Sequence, residues 1–186
     1  MIVTSLGPGT AGAAGGDNTL GYEFTVGNLP LTVFQLGLWD ENGNGFANSH
    51  SVGLWDNTGT LLASVDVPSG TTAILDNGFR FTSLAVPVFL QPGQTYVLGA
   101  SYVTADADRV ILNYGGSQAA SDQGVTLGNL RYVDSGGFTF PTIDAGYGSE
   151  IGPNAIFVPE PSSLALVMMS CGSASAFLLL RKRKRF

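Results

Sequence analysis

The sequence predicts an all-β fold, an antiparallel β-sandwich of jelly-roll type, followed by a single C-terminal transmembrane helix. Three observations lead to this prediction. Apolar residues alternate with polar ones in short runs from Leu20 to Val158, which is the period of strands. Clusters of Gly, Asn and Pro separate the runs at roughly 8–12 residues, as in sandwiches and barrels. One stretch differs, because Ser162–Leu180 carries no charge over 19 residues.

The expected elements are short and follow one another along the chain. Ile2–Leu6 is predicted as a strand and Gly7–Asp17 as a glycine-rich loop. Alternation predicts further strands at Tyr22–Val26, Val33–Trp39, Thr60–Val67, Tyr96–Tyr102, Val110–Tyr114, Val125–Leu127, Leu130–Val133, Phe138–Phe140 and Ala155–Val158. Turns are expected at Gly27–Pro30, Asn57–Gly59, Pro68–Gly70, Asp76–Gly78 and Gln91–Gly93.

The chain divides into one domain, residues 1–157, and a segment with a separate role, residues 158–186. The domain is long enough to bury a core. The single cysteine, Cys171, lies in the uncharged stretch, so no disulfide can cross-link the domain. The same count excludes a thiol nucleophile and a cysteine-ligated zinc site there.

Charge is distributed unevenly. All 14 acidic residues precede position 181, whereas five of the eight cations lie in Arg181–Arg185. Residues 1–180 therefore hold three cations against 14 acids, a net charge of −11. Such a domain should repel nucleic acid and anionic surfaces, so we expect no nucleic-acid partner.

The segment 158–186 has three parts. Pro159, Glu160 and Pro161 come first, and proline there holds the chain extended. The stretch 162–180 follows; as a helix it is about 28 Å long, close to the ~30 Å hydrocarbon core of a bilayer. The basic end, 181–186, contains Arg181, Lys182, Arg183, Lys184 and Arg185. By the positive-inside rule these cations stop transfer, which places the domain on the far side of the membrane. Two alternatives remain. Arg181–Arg185 could instead be a nuclear-localisation or nucleic-acid-binding patch, and the uncharged stretch could be a buried core helix.

This order of parts resembles the PEP-CTERM sorting signal of Gram-negative bacteria. The resemblance is carried by Pro159–Ser163, the uncharged stretch and Arg181–Arg185. It implies that an exosortase, a membrane-embedded cysteine protease-transpeptidase, processes the chain near the triplet. It also implies an inner-membrane intermediate, then delivery to the cell surface or outside, in association with extracellular polysaccharide.

The N-terminus does not match a protein that must be exported. Met1–Thr10 has neither the cationic region nor the apolar region of a secretory signal. We therefore expect an in-frame signal peptide upstream of Met1 in the genomic DNA.

A short internal repeat links Leu36–Gly43 to Val52–Gly59, and both copies contain Gly-Leu-Trp-Asp. Trp39 and Trp55 could stack on a sugar ligand. Alternatively, each motif ends a strand and packs its indole in the sheet, since strands are rich in aromatic residues. Together with Gln91–Tyr96, the repeat is similar to an uncharacterised bacterial β-sandwich family, which implies a fold and no activity.

Asp40–Gly45 matches the first half of a calcium-binding loop. Asp40, Asn42 and Asn44 could present oxygen ligands to Ca²⁺, with the carbonyl of Phe46. The final acid is missing, because Ser51 occupies its place. An Asn- and Gly-rich turn is the alternative.

The catalytic candidates are weak. His50, the only histidine, could act as a general base with Asp56 or another acid, but a lone histidine at a strand start is more often structural. Asp134–Gly137, Asp-Ser-Gly-Gly, is similar to the sequence around the catalytic serine of chymotrypsin-like proteases. The chain has no Ala-His-Cys motif, so a glycine-rich turn explains this stretch better. Asp106 and Asp108 could suit glycoside hydrolysis, although spacing alone cannot show it. We therefore expect a non-enzymatic surface or matrix protein, with a carbohydrate-binding module and then a glycoside hydrolase as alternatives.

Overall fold

The computed structural model describes residues 1–6, 10–13, 16–103, 107–113, 119–122, 124–134 and 136–159. These residues form fifteen strands and one 3-10 turn, Glu41–Gly43. The strands are β1 (Val3–Leu6), β2 (Thr10–Ala13), β3 (Asn18–Val26), β4 (Leu31–Trp39), β5 (His50–Asp56), β6 (Leu61–Val67), β7 (Ile74–Asp76), β8 (Phe79–Leu90), β9 (Thr95–Tyr102), β10 (Arg109–Asn113), β11 (Ala119–Ser121), β12 (Val125–Val133), β13 (Ile143–Asp144), β14 (Ser149–Ile151) and β15 (Pro153–Pro159).

Two antiparallel sheets dominate the fold. One has six strands in the order β13-β12-β3-β9-β5-β6, and the other has four in the order β15-β4-β8-β7. Two smaller sheets, β14-β10-β2 and β1-β11, complete the described strands, and these pairs are antiparallel as well. The all-β antiparallel class predicted from the alternation is thereby confirmed.

The core lies where side chains of both large sheets meet, which gives a sandwich-like arrangement. The six-stranded sheet contributes Tyr22, Phe24, Leu54 and Leu98, and the four-stranded sheet contributes Leu36, Leu38, Phe79 and Phe157. Each fully buried apolar side chain of this size stabilises the fold by roughly 1.5–3 kcal/mol. The core can therefore hold the domain without a disulfide.

Three local predictions are corrected. The glycine-rich segment predicted as a loop contains β2, because backbone pairing with β10 requires no particular side chain. The two strands predicted within residues 125–133 are one, β12, interrupted by a bulge between Leu127 and Leu130. Phe138–Phe140 is not a strand. Its two aromatic rings instead cover Trp55, which explains the apolar pattern.

The last described strand brings the chain to one end of the sandwich. β15 pairs with β4 along its length, from Pro153 opposite Leu38 to Pro159 opposite Leu31. Pro159 is exposed, as the sequence predicts for the first residue of the triplet.

No helix in the described part of the chain has the length and apolarity to cross a membrane. The predicted span 162–180, the basic end 181–186, Glu160 and Pro161 all lie outside the described residues.

Candidate functional site

A cleft of about 320 Å³ opens at the end of the sandwich where β4 ends and β10 begins. Two segments line it, residues 39–47 and residues 107–109. It therefore brings together two sets of candidates that the sequence suggested separately. Those are Trp39, a stacking candidate, and Asp40, Asn42 and Asn44, the calcium candidates.

A buried ion pair holds Asp40, one of the residues that line the cleft. Asp40 is 3% exposed, and Arg80 donates from Nε to its Oδ2 over 2.6 Å. The amide of Gly45 donates to the same oxygen over 2.9 Å. The remaining guanidinium nitrogens of Arg80 donate to the carbonyl oxygens of Gly43, Thr71 and Ala73 over 2.9–3.1 Å. The loop is thus organised around the guanidinium of Arg80, which donates hydrogen bonds to the carboxylate of Asp40 and to three backbone carbonyl oxygens.

The loop needs glycine and asparagine because its backbone enters the left-handed region. The φ angles of Asn42, Gly43 and Gly45 are 68°, 69° and 93°. A Cβ at Gly45 would lie 2.7 Å from the backbone of Gly70. The neighbouring residue, Phe46, exchanges two backbone hydrogen bonds with Gly70. The turn composition noted in the sequence therefore has a geometric cause.

Asp108 fixes the far side of the cleft. Its carboxylate accepts hydrogen bonds from the amides of Ala47 and Asn48, over 2.9 and 3.3 Å. It also lies 2.9 Å from Nε2 of His50. Nδ1 of His50 donates to the carbonyl oxygen of Ser101 over 2.8 Å, because a carbonyl oxygen can only accept. Asp108 therefore connects the loop to β5 and, through His50, to β9.

This geometry favours the structural interpretation of His50. The ring is 1% exposed and packs between Phe46 and Tyr102, with centroid distances of 5.4 and 5.2 Å. Both ring nitrogens already have partners. Asp56, the suggested partner, lies at the opposite end of β5, so the structure does not bring the two together.

The rim of the cleft is polar and accessible. Asn42 and Asn44 are exposed. Arg109 donates to Glu41 over 3.2 Å, and their side chains are 43% and 33% exposed. The cleft thus combines one half-buried indole, that of Trp39, with amide, carboxylate and guanidinium groups.

Trp55 has a different environment from Trp39. It is 3% exposed, with the rings of Phe138 and Phe140 at 5.2 and 6.2 Å from its own. Its indole lies over Gly53, where a Cβ would come within 2.4 Å of the ring. This arrangement leaves no free face for a sugar and matches the packing interpretation of the second Gly-Leu-Trp-Asp.

Calcium binding at Asp40, Asn42 and Asn44 stays a prediction. Within the described ranges, no three His, Cys, Asp or Glu side chains form a group that could hold a metal ion, so the predicted site would depend on the amide oxygens of Asn42 and Asn44 and on backbone carbonyls. Ca²⁺ would have to compete with Arg80 for the carboxylate of Asp40. Asp106 and Asp108 were the carboxylates suggested for glycoside hydrolysis. Asp108 is hydrogen-bonded to two backbone amides and to His50, and Asp106 lies outside the described residues.

The sequence did not identify Arg80, Arg109 or the pairing of Asp108. The scarcity of cations in the domain could have pointed to these residues, because only three cations precede the basic end. Each of them pairs with an acid: Arg80 with Asp40, Arg109 with Glu41 and Arg131 with Glu23. Two of these three pairs lie at the cleft.

A family model described as "Domain of unknown function (DUF4082)" matches residues 6–148, which include both segments that line the cleft. No curated protein matches the chain.

Proposed function

We propose that the chain, which belongs to the family described as Domain of unknown function (DUF4082), is an exported, non-enzymatic protein of the cell surface or extracellular matrix. Its C-terminal segment, 158–186, directs it there as a PEP-CTERM-type signal that an exosortase processes. The inner membrane holds an anchored intermediate before delivery.

The position of Pro159 is the observation that carries the proposal. The strand β15 ends at this exposed residue, and the Pro-Glu-Pro triplet begins there. Proline donates no backbone hydrogen bond, so the triplet is poorly suited to continue the sheet. A protease could therefore reach the chain just beyond the fold without removing β15, which pairs with β4 up to Pro159.

The test is expression with a leader in cells that have or lack an exosortase. In the first background we expect a smaller product outside the membrane fraction, and in the second a full-length membrane product. Glu160→Ala should leave insertion intact and block cleavage. Replacing the five cations of 181–185 by Ser should weaken retention, since each cation near an anionic leaflet adds about 1 kcal/mol. Identical size in both backgrounds, with all material in the membrane, would refute the proposal.

The cleft favours a second function, binding of a polysaccharide of the matrix. Sugars are recognised by an aromatic face together with a few polar groups, and Trp39, Asn42 and Asn44 line one cleft. Its volume, about 320 Å³, falls at the lower end of the ligand-pocket range of roughly 300–1,000 Å³.

Affinity electrophoresis tests this second function. The domain is run through gels that contain the exopolysaccharide of the producing bacterium. We expect retardation of the wild type and its loss in Asn42→Gly/Asn44→Ala, in which glycine keeps the positive φ of position 42. Asn28→Ala removes an exposed amide elsewhere and serves as the matched control. Equal mobility of the wild type with and without polysaccharide, or equal retardation of all variants, would contradict it.

A further inference from the structure

One end of the sandwich, which we call the exit end, consists of residues 27–31, 89–94 and 157–159. Backbone pairing holds these segments together, because Leu31 lies opposite both Pro159 and Leu90. The amide of Gly93 also donates to the carbonyl oxygens of Val26 and Gly27, over 2.9 and 3.1 Å. The exit end is therefore a single surface around the point where the chain leaves the sandwich.

This surface exposes apolar side chains. Val158 and Phe89 both lie opposite Thr32, on its two neighbouring strands, so all three project from the same face of the sheet. Val158 is 52% exposed and Phe89 is 51% exposed. Leu29, in the loop before β4, is a third exposed apolar side chain of the exit end, at 45%. Several exposed apolar side chains at one end of a fold often mark an interaction surface.

The three segments of the exit end contain no Asp, Glu, Lys or Arg of their own, although the chain is strongly acidic. Two acids adjoin them, because Asp122 lies beside Gly124, close to Leu31 and Phe157, and Glu160 follows Pro159 in the sequence. The inference of a lipid surface therefore rests on the exposed apolar side chains of the exit end and on its place before the uncharged stretch.

We propose that the exit end is the membrane-facing surface of the anchored protein and that Leu29, Phe89 and Val158 contact the headgroup region of the bilayer. This inference rests on the proposed function, because it takes residues 162–180 as a transmembrane anchor. Only Glu160 and Pro161 separate Pro159 from that stretch, so the gap is at most about 11 Å. Apolar side chains at such a boundary insert into the interface, as on proteins that lie on membranes.

The test uses the full chain with Cys171→Ser and one new cysteine that carries an environment-sensitive fluorophore. Leu29→Cys and Phe89→Cys report on the exit end. Thr71→Cys is the control, because this exposed residue lies in the loop that contacts the cleft end. Each protein is reconstituted into vesicles of phosphatidylethanolamine and phosphatidylglycerol that contain a lipid with a nitroxide quencher near its headgroup.

We expect strong quenching and a blue-shifted emission at positions 29 and 89, and neither at position 71. Vesicle association without quenching at 29 and 89 would overturn the inference and leave the proposed function standing. Equal quenching at all three positions would also overturn it, since the domain would then lie on lipid without a preferred end. Disulfide-linked dimers of the unlabelled Phe89→Cys protein would overturn the inference and assign the surface to a second copy. Failure to sediment with vesicles would refute the anchor itself.

Discussion

Two buried tyrosines on neighbouring strands differ in whether the hydroxyl group has a hydrogen-bond partner among the described residues. Tyr22 of β3 is fully buried, and its hydroxyl has no hydrogen-bond partner among the described residues. Burial raises the pKa of Tyr22, because the charged form loses its hydration. The hydroxyl of Tyr96, on β9, accepts a hydrogen bond from the amide of Gln91 over 2.9 Å. The hydroxyl of Tyr22 therefore lowers the free energy of unfolding, whereas that of Tyr96 raises it.

Removing each hydroxyl should change stability in opposite directions. Tyr22→Phe should raise the free energy of unfolding by about 1 kcal/mol, since a buried polar group without a partner is costly. Tyr96→Phe should lower it by about 1 kcal/mol, because the amide of Gln91 loses its acceptor. Urea unfolding of the purified protein measures both. A marked loss of stability in Tyr22→Phe would show that its hydroxyl has a partner outside the described residues.

Asp56 ends β5 and organises the turn that follows. Its Oδ1 accepts from the hydroxyl and amide of Thr58, over 2.7 and 2.9 Å, and from the amide of Thr60 over 2.9 Å. The hydroxyl of Thr58, and then the amide of Thr60, lower the pKa of Asp56 from 3.8 to about 2. The carboxylate is accessible to solvent, which screens its effect on stability.

This pKa shift predicts a pH-dependent difference between the wild type and Asp56→Asn. The asparagine keeps the acceptor oxygen but does not titrate. The contribution of the ionised Asp56 should be complete above pH 3.8 and should disappear as the pH falls through about 2. Parallel denaturation curves of the two proteins across this range measure it. A difference that does not change with pH would contradict the assignment.

At the scale of elements, the loop after β4 depends on two ion pairs of very different burial. The side chains of Arg80 and Asp40 are 4% and 1% exposed, whereas those of Arg109 and Glu41 remain accessible. Breaking a buried pair leaves an uncompensated charge in the interior, and breaking an exposed pair does not.

Truncating the two arginines should separate these cases. Arg80→Met should cost about 3–5 kcal/mol, since it leaves the carboxylate of Asp40 buried without its cation. Arg109→Met should cost less than about 1 kcal/mol. Thermal unfolding of both variants measures the difference. Similar costs would show that the loop does not depend on the guanidinium of Arg80.

The calcium hypothesis makes a separate prediction for the same loop. If Asp40, Asn42 and Asn44 bind Ca²⁺, millimolar calcium should raise the melting temperature, because the ion binds only the native state. Asn42→Gly/Asn44→Ala should abolish the rise while leaving the pair of Asp40 with Arg80 in place, because glycine accepts the positive φ of position 42. An unchanged melting curve with and without calcium would identify the loop as a plain turn.

Alternation in the sequence was enough to predict the antiparallel class, and punctuation by Gly, Asn and Pro was enough to predict the turns. Contacts between residues far apart in the chain were not predictable. His50 and Asp108 are 58 residues apart, and no local pattern links them. Phe138 and Phe140 alternate like a strand, but they do so because they cover Trp55. The cleft likewise depends on where β10 begins relative to β4, which periodicity does not encode.

At the scale of the molecule, the cleft and the exit end lie at opposite ends of β4. This strand runs nine residues from Leu31 to Trp39, a length of about 26 Å at the usual rise of a strand. A domain anchored beyond Pro159 would therefore present the cleft away from the membrane. This orientation fits a surface protein that holds a matrix polysaccharide at a distance from the lipid.

The proposed function requires that the C-terminal segment deliver the domain and then be removed near the triplet. The intact mass of the protein recovered outside cells that contain an exosortase tests this directly. We expect a polypeptide that retains β15 and ends shortly after Pro159, without residues 162–186. A recovered mass that includes the uncharged stretch and the basic end would show that the segment is not removed.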